Sequence, residues 1–290
     1  MRKSFITLSL IVAVTLVLSA CSFNGVSINV NTSTIQGSGK INSEERTVQD
    51  FTRVELKSIG NLTISQGDVE SLTVKADDNL LPYITTEVVA GTLEIGTKQN
   101  TNINPTQAIE YHLTVKSLSS VTLAGFGNID ADKLSSDTLQ VKLTGSGDIH
   151  IGELTGDNLN MNLTGFGNVS IDSAEVAKPT VDLSGSGDIK IGSLKATALA
   201  LTISGFGNAI VSGTTSSEII KLTGSGNYHG GDLQSDEATV IISGFGNATV
   251  WAATDLDLRV TGSGNVEYYG DPRLSQTVTG FGKIKSLGEH

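Results

Sequence analysis

Apolar and polar residues alternate along much of the chain after Phe51. The alternation is clearest at residues 54–56, 62–64, 72–74, 93–95 and 113–115. A period of two is typical of half-buried β-strands, and Gly60, Gly67 and Gly91 mark turns between them. One segment, DDNLLPYI at 77–84, predicts a helical turn that Pro82 keeps short. The pattern therefore predicts an all-β protein.

A Gly-x-Gly motif recurs along the second half of the chain at spacings of 18–20 residues. Its copies begin at Gly125, Gly145, Gly165, Gly185, Gly205, Gly224, Gly244, Gly262 and Gly280. The middle residue alternates strictly between Phe and Ser, and the next residue is Asn or Asp in every copy except the last, which has Lys283. Repeats of this length are typical of solenoids or arrays.

Each repeat contains two short alternating runs, which residues 139–143 and 149–151 illustrate on either side of Gly145. One two-stranded unit cannot bury its apolar face alone. Units stacked about 4.8 Å apart would bury that face and would pair their backbone groups. The sequence therefore predicts a parallel β-helix, or β-solenoid, with repeats of about 20 residues and Leu, Val and Ile inside.

The Gly-x-Gly-Asn/Asp phrases are predicted to be structural corners. Glycine tolerates the positive φ that a sharp bend can need, and Asn or Asp tolerates left-handed backbone and bonds to local amides. Stacked Asn side chains also form ladders along such folds. The representative corner residues are Gly125, Gly127, Asn128, Gly145, Gly147, Asp148, Gly165, Gly167 and Asn168.

The phenylalanines of the motifs form a candidate binding strip. Its members are Phe126, Phe166, Phe206, Phe245 and Phe281. If one coil has about 20 residues, Phe and Ser share one column, whereas a coil of about 40 residues would put them on two edges. Parity from Leu123 points Phe126 outward, and an exposed row of rings would mark a contact surface. The alternative is that each ring folds over its glycine corner.

The N-terminus carries signals for export. Arg2 and Lys3 precede an uncharged apolar run, so residues 1–20 are predicted to be a signal peptide. The phrase Leu-Ser-Ala-Cys at 18–21 resembles a bacterial lipobox, and Cys21 is the only cysteine, so we expect Cys21 to carry lipid such as palmitate. Residues 21–46 are predicted to be a flexible tether, in which 26–30 could form a short strand. A β region at 47–122, the repeats at 123–287 and a tail at 288–290 follow.

The formal net charge of −11 and the absence of a Lys/Arg cluster exclude an electrostatic footprint for nucleic acid or anionic lipid. The predicted partners are the membrane, through the N-terminal lipid, and a surface glycan or protein. Ser22 follows the lipobox in place of the Asp of inner-membrane retention, which favours the outer membrane in a cell with two membranes. The protein is predicted to lie in the envelope, on either face.

Residues 48–97, with their ADDNLL block, and the later GSGN and GFGN phrases resemble a bacterial family, the "putative auto-transporter adhesins" with the head GIN domain. The likeness covers about 48–287. It implies a right-handed β-helical domain at the surface or in the periplasm. The repeats are more regular than one such domain requires, which indicates an extended version or two fused copies.

No catalytic, metal-binding or cofactor-binding residue is predicted. The sequence lacks HExxH, GxSxG and a third motif glycine followed by a helix, and its repeats do not fit the calcium-binding nonapeptide. The favoured function is a non-enzymatic, lipid-anchored adhesin or binding module. One alternative is an envelope spacer without a ligand. Another is a β-helix that binds or cleaves polysaccharide, with a site among Asp77, Asp78, Glu87, Glu94, Glu110 and His112. The oligomeric state stays open, because the edge at 278–287 could pair.

Overall fold

Parallel β-strands stacked in coils form most of residues 33–290, the part of the chain that the computed structural model describes. The N-terminal strands are β1 (Ser33–Gln36), β2 (Ile41–Arg46), β3 (Arg53–Leu56), β4 (Ile59–Gln66), β5 (Ser71–Asp77), β6 (Ile84–Val89), β7 (Thr92–Thr97), β8 (Thr101–Asn104) and β9 (Glu110–Val115). The strands of the repeats are β10 (Ser120–Leu123), β11 (Phe126–Ser135), β12 (Thr138–Leu143), β13 (Ile149–Leu163), β14 (Val169–Leu183), β15 (Ile189–Ile203), β16 (Ala209–Leu222), β17 (Tyr228–Ile242), β18 (Ala248–Val260), β19 (Val266–Tyr269), β20 (Arg273–Val278) and β21 (Ile284–Gly288).

The register of these strands fixes the length of one coil. Strand β13 pairs in parallel with β14, with Ile149 opposite Val169, and β14 pairs with β15, with Val169 opposite Ile189. Each residue therefore lies above its equivalent about 20 positions earlier. The predicted β-solenoid with coils of about 20 residues is confirmed, and the coil of about 40 residues is wrong.

The interior is built from apolar columns, because every inward position of one coil lies over the same position of the coil before it. One column shows the rule, and each of its members is at most 1 % exposed: Leu143, Leu163, Leu183, Ile203, Leu222, Ile242 and Val260. Full burial of a side chain of this kind stabilises the fold by about 1.5–3 kcal/mol. The stack thus gains the burial that a single unit lacks.

A first coil without a Gly-x-Gly motif precedes the recognisable repeats. Strand β4 pairs with β11 so that Ile59, Gly60 and Asn61 lie beside Phe126, Gly127 and Asn128. Strand β3 pairs with β10 in the same register, Val54 beside Val121. The phrase Ser-Ile-Gly-Asn at 58–61 is therefore the first copy of the corner, separated from the second by residues 67–119.

Antiparallel strands cover the N-terminal side of this first coil. Strand β9 pairs in parallel with β4 and antiparallel with β5, and β5 pairs antiparallel with β2. Strand β7 lies along β3 and forms a hairpin with β6. The strands predicted from alternation at 54–115 are confirmed, and the helical turn is a 3₁₀ helix at Leu81–Tyr83.

The structure differs from the tether predicted for residues 21–46. Strand β1 pairs with β8, and β2 pairs with β5, so residues 33–36 and 41–46 are ordered β-structure. The four central residues of β2 are exposed, because it lies at an edge of the sheet. That exposure explains its polar, tether-like sequence. The predicted signal peptide, Cys21 and the short strand at 26–30 lie outside the described residues.

No helix between residues 33 and 290 is long and apolar enough to span a membrane.

Candidate functional site

The alternating Phe and Ser residues of the motifs form one straight row, which we name the Phe–Ser column. Its members are Phe126, Ser146, Phe166, Ser186, Phe206, Ser225, Phe245, Ser263 and Phe281. Ser146 forms parallel bridges with Phe126 on one side and Phe166 on the other. Further along, the Phe206 amide donates to the Gly185 carbonyl at 3.1 Å, and the Ser225 amide donates to the Gly205 carbonyl at 3.1 Å. The column therefore has one member in each coil.

The five phenylalanine rings of the column lie on the surface, with 66–91 % of each residue exposed. The parity counted from Leu123 predicted this direction correctly, and the alternative in which each ring folds over its corner is wrong. Large apolar residues exposed in a regular row are unusual, because single scattered ones are the norm on protein surfaces. The column is therefore the most distinctive surface feature of the described chain.

Close stacking of backbones, more than bending, explains why the motif needs glycine. A Cβ atom at Gly145 would overlap the backbone around Ala124 and Gly125 in the preceding coil, and one at Gly165 would overlap Gly145. Among the six predicted corner glycines only Gly127, Gly147 and Gly167 have positive φ, at 134–146°. The first glycine of each motif is thus required for space, and these three second glycines also for conformation.

Beside the Phe–Ser column runs a ladder of hydrogen-bonded Asn and Asp side chains, which we name the Asn/Asp ladder. Its members are Asn61, Asn128, Asp148, Asn168, Asp188, Asn208, Asn227, Asn247 and Asn265. In a typical step, Asp148 Oδ1 accepts from the Asn168 backbone N–H at 2.8 Å and from Asn168 Nδ2 at 2.9 Å. The corner role predicted from the sequence has this physical basis.

The two carboxylates of the ladder are placed where they have amide donors. Asp148 and Asp188 each follow one Asn and precede another, so no two carboxylates of the ladder are adjacent. The ladder ends at Lys283, whose backbone N–H donates to Asn265 Oδ1 at 3.0 Å. These bonds hold the strip flat and regular next to the rings.

A third outward column, which we name the Thr/Ser column, lies on the other side of the rings and carries no charge. Its members are Ala124, Thr144, Thr164, Ser184, Ser204, Thr223, Ser243, Thr261 and Thr279. The Phe–Ser column is also uncharged, and the repeats of the ladder add only Asp148, Asp188 and Lys283. The strip is therefore nearly neutral on a chain whose formal charge is −11.

Inside the solenoid, one polar cluster interrupts the apolar columns. Glu218 is only 1 % exposed and lies in register with Leu199 of the coil before and Ala238 of the coil after. Tyr228 Oη donates to Glu218 Oε2 at 2.7 Å, and Ser235 Oγ lies 3.3 Å from Glu218 Oε1. The burial of Glu218 raises the pKa of its carboxyl to about 8, although the bonds from Tyr228 and Ser235 oppose that rise. Sequence reasoning missed this cluster.

The acids suggested for a polysaccharide site do not form one site. Asp77 accepts from the Gly39 N–H at 2.7 Å and from Thr106 Oγ1 at 2.7 Å, so it ties together three chain segments. Burial alone would raise the pKa of the Asp77 carboxyl, but the hydrogen bonds from Thr106 and Gly39 hold it below its usual value. Glu94 pairs with Lys57 at 2.7 Å, and Glu110 pairs with Lys75 at 3.1 Å.

Histidines do not gather into a metal site in the part of the chain that the structure describes. His150 lies between Asp130 and Asp172, at 3.6 and 3.1 Å, and His290 stacks on Trp251 with ring centroids 4.2 Å apart. Within residues 33–290 no group of three or more His, Cys, Asp and Glu side chains could hold a metal ion.

The fold and its corner motifs define a class of repetitive β-solenoid domain, and comparison with protein families gives that class a name. The family described as "Putative auto-transporter adhesin, head GIN domain" matches residues 50–211 and again residues 170–272. These matches cover well over half of the chain, so the chain belongs to this family. They overlap at 170–211, as one continuous array of similar coils would produce.

Solved structures of related proteins share the fold. The chain is similar to a "putative lipid binding protein" from Parabacteroides distasonis ATCC 8503, with 25% identity, a TM-score of 0.67 and coverage of 88% of this chain and 100% of that one. A "putative adhesin" from Parabacteroides merdae ATCC 43184 has 20% identity, a TM-score of 0.67 and coverage of 88% and 99%. A "putative adhesin" from Parabacteroides distasonis ATCC 8503 has 23% identity, a TM-score of 0.66 and coverage of 88% and 100%. Comparison with curated proteins returned no match.

Proposed function

We propose that this chain is a non-enzymatic adhesin module of the bacterial cell envelope, anchored by lipid and adhesive through the Phe–Ser column. The observation that carries the proposal is the row of five exposed phenylalanines, one in every second coil. The adhesin family of the chain supports it. A nearly neutral strip on an acidic chain is also suited to contact with another surface.

The chemistry of the column indicates how it would bind. Each exposed ring offers apolar area whose burial is worth about 1.5–3 kcal/mol, so several rings can together hold a partner that each binds weakly. Successive rings along the solenoid are separated by two coils, or about 9.6 Å. The partner is therefore a surface that presents apolar groups or sugar faces repeatedly, such as a glycan or a protein. The binding site is shallow and extended, which suits adhesion better than the capture of one small ligand.

Loss of the rings should remove adhesion without unfolding the protein. We expect Phe166→Ser, Phe206→Ser and Phe245→Ser together to reduce the retention of protein-coated beads on cell, glycan and protein surfaces roughly tenfold or more. The matched control replaces Thr164, Ser204 and Ser243 of the same coils with alanine, and it should adhere like the wild type. Both variants should keep the wild-type melting temperature, because all of these side chains are exposed. Unchanged retention of the triple Phe variant would favour a spacer without a ligand.

The anchor of the adhesin is proposed to be a lipid on Cys21, after removal of residues 1–20. The support is the lipobox-like phrase at 18–21 and the single cysteine of the chain. Stable attachment needs more than one acyl chain, since each buried methylene adds only about 0.8 kcal/mol. The outer membrane is the proposed location in a cell that has two membranes.

Metabolic labelling tests the anchor. We expect labelled palmitate to enter the wild-type protein and to be absent from the Cys21→Ser variant, which should also leave the membrane fraction. Ser22→Ala is the matched control and should be labelled normally. Label that persists in Cys21→Ser would contradict lipidation at this residue.

A further inference from the structure

The strict alternation in the Phe–Ser column is not required by the solenoid itself. Aromatic side chains can stack in consecutive layers about 4.8 Å apart, as they do in cross-β structures. The column nevertheless has a serine in every second coil, from Ser146 to Ser263. Each serine leaves a gap one coil wide between two rings. The alternation therefore makes a surface of regular knobs and gaps.

We propose that the partner of this surface is a second copy of the same chain, whose phenylalanines enter the serine gaps of the first. This inference rests on the proposed function and names its partner. When two columns interdigitate, rings from the two copies alternate about 4.8 Å apart along the interface. That spacing lies within the range of about 4.5–7 Å that aromatic pairs prefer between ring centroids. One column thus has the dimensions that its own copy needs.

The symmetry of a homodimer is compatible with the order of the nine coils. A two-fold axis perpendicular to the column, placed midway between a Phe and a Ser, puts every phenylalanine that it pairs opposite a serine. With the axis between Ser186 and Phe206, the opposed pairs are Ser186 with Phe206, Phe166 with Ser225, Ser146 with Phe245 and Phe126 with Ser263. An axis through one residue of the column would put Phe opposite Phe and would leave the gaps empty.

Charge favours this face for self-association over the rest of the surface. Two copies of a chain with a formal charge of −11 repel each other. The Phe–Ser and Thr/Ser columns carry no charge, and the neighbouring ladder carries two carboxylates and Lys283. Contact along the strip therefore brings fewer like charges together than contact through a face of average composition.

The antiparallel arrangement has a consequence for adhesion. A perpendicular two-fold axis runs the two columns in opposite directions, so Phe126 of one copy lies at the end where the other copy has its last coils. The chain segments that lead to the two lipid anchors then start from opposite ends of the interface. Pairing of this kind joins two surfaces that each carry the protein, which is homotypic adhesion.

Sedimentation velocity of the full-length protein in detergent, over a wide range of concentration, tests the interdigitation. We expect a reversible dimer in the wild type. The triple variant Phe166→Ser, Phe206→Ser, Phe245→Ser should raise the dissociation constant roughly a hundredfold or more, because it removes three rings from each copy. The gap-filled variant Ser186→Phe, Ser225→Phe should weaken the dimer similarly although it adds apolar area. The control Ser186→Ala, Ser225→Ala leaves the gaps open and should dimerise like the wild type.

The gap-filled variant separates this proposal from general stickiness. Dimerisation that is unchanged or stronger in the gap-filled variant would overturn the interdigitation, as would a wild-type protein that stays monomeric at every concentration. If the wild type is monomeric while the triple variant still loses bead adhesion, the proposed function stands and the partner is a foreign glycan or protein. If the triple variant both dimerises and adheres normally, both proposals fail.

Discussion

Replacing Gly147 with alanine should lower the free energy of unfolding by about 3–5 kcal/mol, a very large effect for one methyl group. Gly147 has φ of +134°, a conformation that alanine rarely adopts. A Cβ atom there would also overlap the carbonyl oxygen of Gly127 in the coil below. Neither backbone can move freely, because the Gly127 N–H donates to the carbonyl of Ser146 at 3.1 Å. Relief of the overlap would require separating two coils.

Chemical denaturation measures this effect, and Ser146→Ala in the same coil is the matched control. Ser146 is a partly exposed member of the Phe–Ser column, so its truncation should change stability by less than about 0.5 kcal/mol. A loss below about 1 kcal/mol for Gly147→Ala would show that the coils can spread at this corner. The close approach of backbones would then not be the reason for the recurrent glycines.

The repeat spacing and the alternation of residues were sufficient to predict the solenoid and its interior. In a fold whose coils repeat, each inward position is set by the position one coil earlier, so a local pattern such as 139–143 fixes a whole column. The Asn/Asp ladder followed for the same reason. The role of glycine was predicted only in part, because φ depends on one residue whereas the close approach depends on two coils.

The first coil and the ordered strands before it were harder to predict. Ser58 and Ile59 stand where later coils have Gly and Phe, and residues 67–119 separate that coil from the next, which hides the repeat. Only the phrase Gly60-Asn61 before an alternating apolar run could have revealed it. Strand β2 has the polar composition of a tether, because its side chains are mostly exposed and its order comes from pairing with β5.

The candidate site was predictable as a row of residues but not as a surface. Parity pointed Phe126 outward, yet the glycines on both sides could have reset that parity, and the coil length decided whether Ser shared the row. Glu218 was missed although parity from Leu222 and Ile220 places it inward. Its polar neighbours at 214–217 hid that signal. The coil between Gly205 and Gly224 is also one residue shorter than those before it, which obscures the register.

Replacing Glu218 with glutamine should make the protein more stable than the wild type above pH 8 and no more stable at pH 4.5. Burial raises the pKa of the Glu218 carboxyl from 4.5 to about 8 in the folded protein. Between these values the folded state keeps a proton that the unfolded state releases. The free energy of unfolding of the wild type therefore falls as pH rises through this window, by at most about 4–5 kcal/mol, and the loss is complete above pH 8. Glutamine does not titrate, so its variant lacks this component.

The hydrogen bonds of the cluster agree with a neutral acid at Glu218. Tyr228 donates to Glu218 Oε2, and burial raises the pKa of the Tyr228 hydroxyl well above its usual value, so this donor keeps its proton. Ser235 has one hydroxyl proton, which it donates to the Trp251 carbonyl at 2.9 Å. The contact of 3.3 Å between Ser235 Oγ and Glu218 Oε1 is then a hydrogen bond only if Glu218 supplies the proton.

A pH series of denaturation curves tests this account, with Glu175→Gln as the control. Glu175 is exposed and pairs with Lys195 on the outer surface, so its replacement should leave the pH dependence of the wild type unchanged. The Glu218→Gln amide can reproduce both bonds of the neutral acid, but its second N–H has no partner in the cluster, which should cost about 1 kcal/mol at every pH. The two stability curves should therefore cross between pH 4.5 and 8. Parallel curves would mean that Glu218 is already ionised in the folded protein at neutral pH, and that water or a rearranged Ser235 supports its charge.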